Sequence, residues 1–137
     1  MRIRQFTDLT VWQSAHELAL FVYGATEKFP DRERFGITAQ VRRSSASVAA
    51  NIAEGFGRRT TGELLRALQI ARGEVEETRY FLILSRDLGF LNDAFAQAGF
   101  ANCDSVGRLI NALVTSLKRR AIATPAKTGG TSDATVH

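Results

Sequence analysis

An all-α chain folded as an up-down-up-down antiparallel four-helix bundle is predicted by three observations. Apolar residues recur at alternating steps of four and three along most of the chain, the pattern of helices that each bury one stripe. Only two prolines, Pro30 and Pro125, occur among 137 residues, so more than ninety consecutive positions lack a helix breaker. Turn residues gather at only three interior places, which makes the connections short and successive helices antiparallel neighbours. No alternating pattern competes for a strand.

The first helix is read from Val11, Ala15, Leu18, Val22, Ala25 and Phe29, with Asp8 as a cap near its start. It should end at Phe29, because a residue before proline is pushed out of the α region. The second carries Ile37, Val41, Val48 and Ile52, a stripe interrupted by Ser44 and Ser45, with Gly55 and Gly57 as its stop. Thr60, Thr61 or Gly62 caps the third, whose stripe is Leu64, Leu68, Ala71, Val75, Thr78, Leu82 and Ser85, and Gly89 ends it. Asn92 or Asp93 opens the fourth, read from Phe95, Cys103, Val106, Ile110, Leu113 and Leu117, with Gly99 weakening its first turns. Residues 1–122 then form one bundle domain, and the small, polar residues 123–137 are expected to be a disordered tail.

Composition narrows the function. Eighteen Lys and Arg against fourteen Asp and Glu leave a net charge of +4, which permits nucleic-acid or membrane-surface binding without demanding either. The single Cys103 excludes an internal disulfide framework and a cysteine-based zinc site. No stretch approaches the ~18 apolar residues of a membrane span, so the expectation is a cytoplasmic protein with no membrane partner. His16 and His137 are the only histidines, too few for a histidine metal cluster and a poor start for a catalytic triad. Catalysis, cofactor and metal are therefore not expected. Gly55, Phe56, Gly57 and Thr60 lack the preceding strand and the following Lys-Ser/Thr of a phosphate loop. Cys103 continues the fourth helix's core register and Trp12 reads as a packing anchor. Glu74 and Glu77 form a carboxylate pair without a histidine at di-iron spacing, so arginines such as Arg43 or Arg72 are their expected partners.

The second helix has three distinct faces. Ile37, Val41, Val48 and Ile52 form the core face, and Gln40, Arg43, Ser47, Asn51 and Glu54 form a polar row. Arg43 and Glu54 are three turns apart and need partners elsewhere, Arg43 from Glu74 or Glu77 and Glu54 near the following turn; breaking such a partly buried pair would cost about 3 kcal/mol. The third face holds Ala39, Ala46, Ala49, Ala50 and Ala53 with Arg42 at its edge. Small side chains admit close helix approach, so this face is expected to be an interface between protomers.

The run GITAQVRRSSASVAANIAEGFGRR, followed by ARGEVEETRYFLILSRDLGFL, resembles the bacterial four-helix bundle family encoded in intervening sequences of large-subunit ribosomal RNA genes. The likeness spans roughly residues 6 to 120, from FTDLTVWQSAHEL through Asn51-Ile52-Ala53-Glu54-Gly55 to RLINALVTSLKRR, and departs from the family pattern at Ala49 and Glu74. It implies a homopentamer without enzymatic activity. Through similarity to the accessory protein of diversity-generating retroelements, it also implies RNA or DNA and a reverse transcriptase or other protein as partners.

The topology also sorts charge. One end collects Arg2, Arg4, Arg58, Arg59, Lys118, Arg119 and Arg120 against Asp8 and Glu63, a net +5, more than the whole chain carries. The other end has Lys28, Arg32, Arg34 and Arg86 against Glu27, Asp31, Glu33, Asp87 and Asp93, a net −1. The basic end is the expected nucleic-acid contact. The competing reading is a protein scaffold whose cations serve solubility, with Lys118 to Arg120 complementing the last helix's dipole.

Overall fold

The computed structural model describes residues 3–123, so Arg2 and the tail at 124–137 lie outside the described residues. Four helices follow in order, α1 (Thr10–Ala25), α2 (Ile37–Phe56), α3 (Thr61–Asp87) and α4 (Asp93–Ala123). Short 3₁₀ turns stand at Phe6–Asp8 and Asp31–Glu33. α1 and α3 each pack on both α2 and α4, so the four helices close a square in chain order. The core fills its centre. Leu18, Val22, Val41, Val48, Ile52, Leu68, Val75, Leu82, Val106 and Ile110 are almost wholly shielded from water, and burial of each such side chain contributes about 1.5–3 kcal/mol.

Local chemistry sets most of the boundaries. Thr60 and Glu63 form a reciprocal capping box at the start of α3, worth about 1 kcal/mol. Asn92 Oδ1 accepts the Phe95 N–H to open α4. Gly89, at φ +84°, takes the left-handed conformation that ends α3.

The expected first helix is too long. α1 stops at Ala25, where the buried Thr26 hydroxyl donates to the Val22 and Tyr23 carbonyls and satisfies the helix end. Phe29 remains in the core from the following turn, against Phe90 with ring centroids 5.8 Å apart. Asp8 does not cap α1 either. Its carboxylate accepts from the Arg4 and Gln5 N–H groups and closes the preceding 3₁₀ turn. Phe95 is 52% exposed, and Ala96 occupies the core register in its place.

Two glycines read as a stop and a weakness are packing sites. Gly55 lies inside α2, where a Cβ would fall 2.6 Å from Ala67 Cβ and 3.2 Å from Leu64 Cδ1. A Cβ on Gly99 would lie 2.7 Å from Leu82 Cδ1 and 3.0 Å from Phe21 Cε2. At both, side chains of neighbouring helices fill the space that a Cβ would need. Between α2 and α3 the buried Ser44 and Thr78 hydroxyls meet at 2.8 Å. Each has a carbonyl of its own helix as an alternative acceptor, Val41 for Ser44 and Glu74 for Thr78. Two hydrogens thus satisfy the pair without water.

Gly55→Ala should lower stability by about 1–3 kcal/mol through overpacking against Ala67. Gly73→Ala, where a Cβ meets nothing within 4 Å, should raise it by about 1 kcal/mol through helix propensity. Thermal melts of both variants check this; a Gly55→Ala protein that melts at or above the wild type would remove the close approach as a constraint.

Candidate nucleic-acid interface

α2 directs its polar row toward α3. The Arg43 guanidinium forms an ion pair with Glu77 and approaches Glu74 Oε1 at 3.5 Å, while its Nε donates to Gln40 at 3.4 Å. Asn51 donates to the Ser47 carbonyl at 2.8 Å, a bond within its own helix. Glu54 pairs with Arg58 at 2.7 Å. The row is thus three local groups and not one continuous network. Burial pushes the Glu74 carboxyl above its ordinary value, and the neighbouring Glu77 adds to the rise while Arg43 opposes it. Arg72 does not serve these carboxylates; it donates to Asn111 on α4 at 2.5 Å.

The alanine face divides. Ala49 belongs to the chain's own core, and Arg42 is held across the α1–α2 seam. The Arg42 Nε donates to Thr26 Oγ1 at 2.8 Å, an amino group donates to the Tyr23 carbonyl, and the guanidinium lies over the Tyr23 ring. Neither is free for a partner protomer, because Ala49 is buried within the chain and Arg42 is tied to Thr26 and Tyr23. Ala39, Ala46 and Ala53 stay half-buried and Ala50 exposed. α1 adds exposed Leu20 and Tyr23 to this side of the bundle.

At the end where the N-terminus, the α2–α3 turn and the close of α4 converge, Arg4, Arg58, Arg59, Lys118, Arg119 and Arg120 are all exposed. Arg58 is partly neutralised by Glu54, whereas the other five have no ion pair among the described residues. Arg66, in the second turn of α3, is a further exposed cation without such a pair; a tally confined to the helix ends passes over it. At the opposite end Arg86 pairs with Asp87 at 3.1 Å and Arg32 lies over Phe90. The groove between α3 and α4 assembles Arg72, Arg79 and Arg108; the seven-residue spacing of Arg72 and Arg79 puts those two on one face of α3, but no sequence signal joins Arg108 of α4 to them.

Nucleophile and base candidates do not converge. Cys103 is fully buried, and desolvation pushes its thiol up to about 12. Exposed His16 stacks on Trp12 with ring centroids 4.9 Å apart. Among the described residues no three His, Cys, Asp or Glu gather as metal ligands, and no helix is long and apolar enough to cross a membrane.

The family model described as 23S rRNA-intervening sequence protein matches residues 7–112. A crystal structure of a protein of unknown function from the S23 ribosomal protein family of Bacteroides thetaiotaomicron VPI-5482 superposes with a TM-score of 0.72 at 21% identity. The match covers 77% of this chain and 95% of that one, and carries the fold alone. No curated protein sequence matches the chain.

Arg43 is 47% exposed, so Arg43→Ala should cost nearer 1 kcal/mol than the value for a buried pair. Glu74→Gln tests the carboxylate's burden. Because the folded value is raised, stability held with Glu74 protonated is lost as pH rises through that value, and glutamine removes the loss. Its melting temperature relative to wild type should therefore be higher at pH ~7 than at pH ~4. The same difference at both pH values would contradict the assignment.

Proposed function

The chain belongs to the 23S rRNA-intervening sequence protein family, and from that premise we propose that it is a non-enzymatic, oligomeric accessory protein that binds RNA through the basic end of its bundle. One observation carries this reading. Arg4, Arg59, Lys118, Arg119 and Arg120 are exposed at one end without carboxylate partners among the described residues, whereas charges at the other end are mixed. Unneutralised cations on one surface gain affinity from phosphate by releasing its counterions. Helix dipoles add to this only in part, since α4's C-terminal cations also complement their own helix.

Assembly concentrates the effect. The open part of the alanine face, Ala39, Ala46, Ala50 and Ala53, is the protomer contact, because small residues leave room for another helix at little cost in side-chain entropy. A cyclic arrangement, with the pentamer as the family's stoichiometry, turns every basic end to the same side and forms a cationic ring. Its place is the cytoplasm, and a reverse transcriptase or another protein is a further partner of the complex. The scaffold reading has its own support: Phe35 is 86% exposed, and Leu88 and Phe95 are more than half exposed, all at the end away from the cations. Apolar contacts there would be insensitive to salt.

Filter retention of RNA should be strong at low salt and fall steeply as salt rises. Reversal of Arg59, Arg119 and Arg120 to Glu should abolish it with helicity unchanged, each lost phosphate contact reducing the salt slope by about 1. Retention by the reversed protein would move the interface elsewhere. Ala46→Arg and Ala50→Arg should each give smaller, still helical species by light scattering. A wild-type mass of one chain, or assembly indifferent to both, would sink the ring.

A further inference from the structure

We propose that the groove between α3 and α4 is an oxyanion site that takes a phosphate group. It lies on the side of the bundle, lined from α3 by Arg72, Glu76 and Arg79 and from α4 by Cys103, Asp104, Gly107, Arg108 and Asn111, three guanidiniums against two carboxylates, and has a volume of about 190 Å³. Its charges are unevenly paired. Arg79 is claimed by Asp104 at 2.8 Å and by Glu76 at 3.4 Å. Arg72 and Arg108 have no carboxylate partner among the described residues; Asn111 holds the first and Ser105 the second, at 3.4 Å. The Arg72 Nε is shielded from solvent and has no acceptor there.

A guanidinium desolvated along one edge and met only by a neutral amide is incompletely compensated. A tetrahedral oxyanion in the groove supplies the missing charge to Arg72, and the Arg108 side chain, held by the neutral Ser105 hydroxyl alone, is a second guanidinium of the lining that can turn to its oxygens. The α4 wall is bare where the anion would lie. Gly107 sits inside a helix, where glycine costs about 1 kcal/mol against alanine, yet a Cβ there would meet nothing within 4 Å. Packing does not demand it. Its missing side chain keeps the groove open above buried Cys103. Lys118, on the same face of α4 two turns past Asn111 and about 10 Å away, offers the next cation toward the basic end. The site stands on its own residues and does not depend on RNA binding at that end.

The test is a titration of the ¹⁵N-labelled full chain with inorganic phosphate at low salt, following the Arg72 and Arg108 Nε–H resonances. Both should shift and saturate. Arg72→Gln and Gly107→Leu, the second filling the groove without altering charge, should each weaken binding by about tenfold or more, the scale of one charge-assisted contact, with helicity unchanged. Absence of saturable shifts in the wild type, or phosphate affinity unchanged in both variants, overturns the proposal. A short RNA that moves the same resonances at lower concentration, and loses that effect in Arg72→Gln, identifies the phosphate as nucleic-acid backbone. Phosphate binding with RNA retention indifferent to Arg72→Gln identifies a free phosphate or phosphorylated small molecule, and equally supports the site. Phosphate shifts that survive reversal of Arg59, Arg119 and Arg120 separate a failure at the basic end from a failure of the groove.

Discussion

The close seam between α2 and α3 is the constraint on which the rest of this molecule depends. At its lower end the missing side chain of Gly55 lets the Ala67 methyl enter against the α2 backbone. Midway, Ser44 and Thr78 satisfy one another in a dry interior at 2.8 Å. Further along, Arg43 meets Glu77 and Glu74 at the seam's outer edge. Each contact tolerates little change in separation, because packed interiors resist both gaps and overlap. Together they fix the rotation of α2 about its own axis.

That rotation decides what α2 presents elsewhere. With the core stripe turned inward and the polar row turned to α3, the alanine side faces α1 and the solvent beyond it. Ala49 is buried in the core, and Arg42 clasps Thr26 and Tyr23 across the join with α1. The outer alanines remain open beside exposed Leu20 and Tyr23.

The short connections have an electrostatic consequence. A four-residue link at 57–60 joins α2 to α3, and the up-and-down order puts it at the same end of the bundle as the 3₁₀ turn at Phe6–Asp8 and the close of α4. Arginines that are far apart in sequence thereby share one surface. Carboxylates near them are already committed: Asp8 to the 3₁₀ turn, Glu63 to the capping box and Glu54 to Arg58. Asp8 and Glu63 still contribute their charge to the field of this end, but being held in place they do not form ion pairs with the side chains of Arg59, Arg119 or Arg120.

The sequence by itself determined the four helices, their order and nearly all of the core, since an apolar period of 3.6 and caps such as Thr60 and Gly89 are local properties of the chain. It also placed Arg43 near Glu74 and Glu77, because faces on consecutive helices are related by a short turn. Tertiary structure alone decided the rest. Whether Gly55 ends a helix or admits Ala67, whether Phe29 leaves the core with its helix, and whether Ala96 or Phe95 points inward all depend on how a second helix approaches. The same holds for Arg72 and Arg108, which become one site only when α3 and α4 lie side by side, whereas the tie of Arg58 to Glu54 is four residues long and local to the end of α2. Periodicity encodes the direction of a side chain from its own helix axis; the partner it meets is set by distances between axes, and no single helix records those.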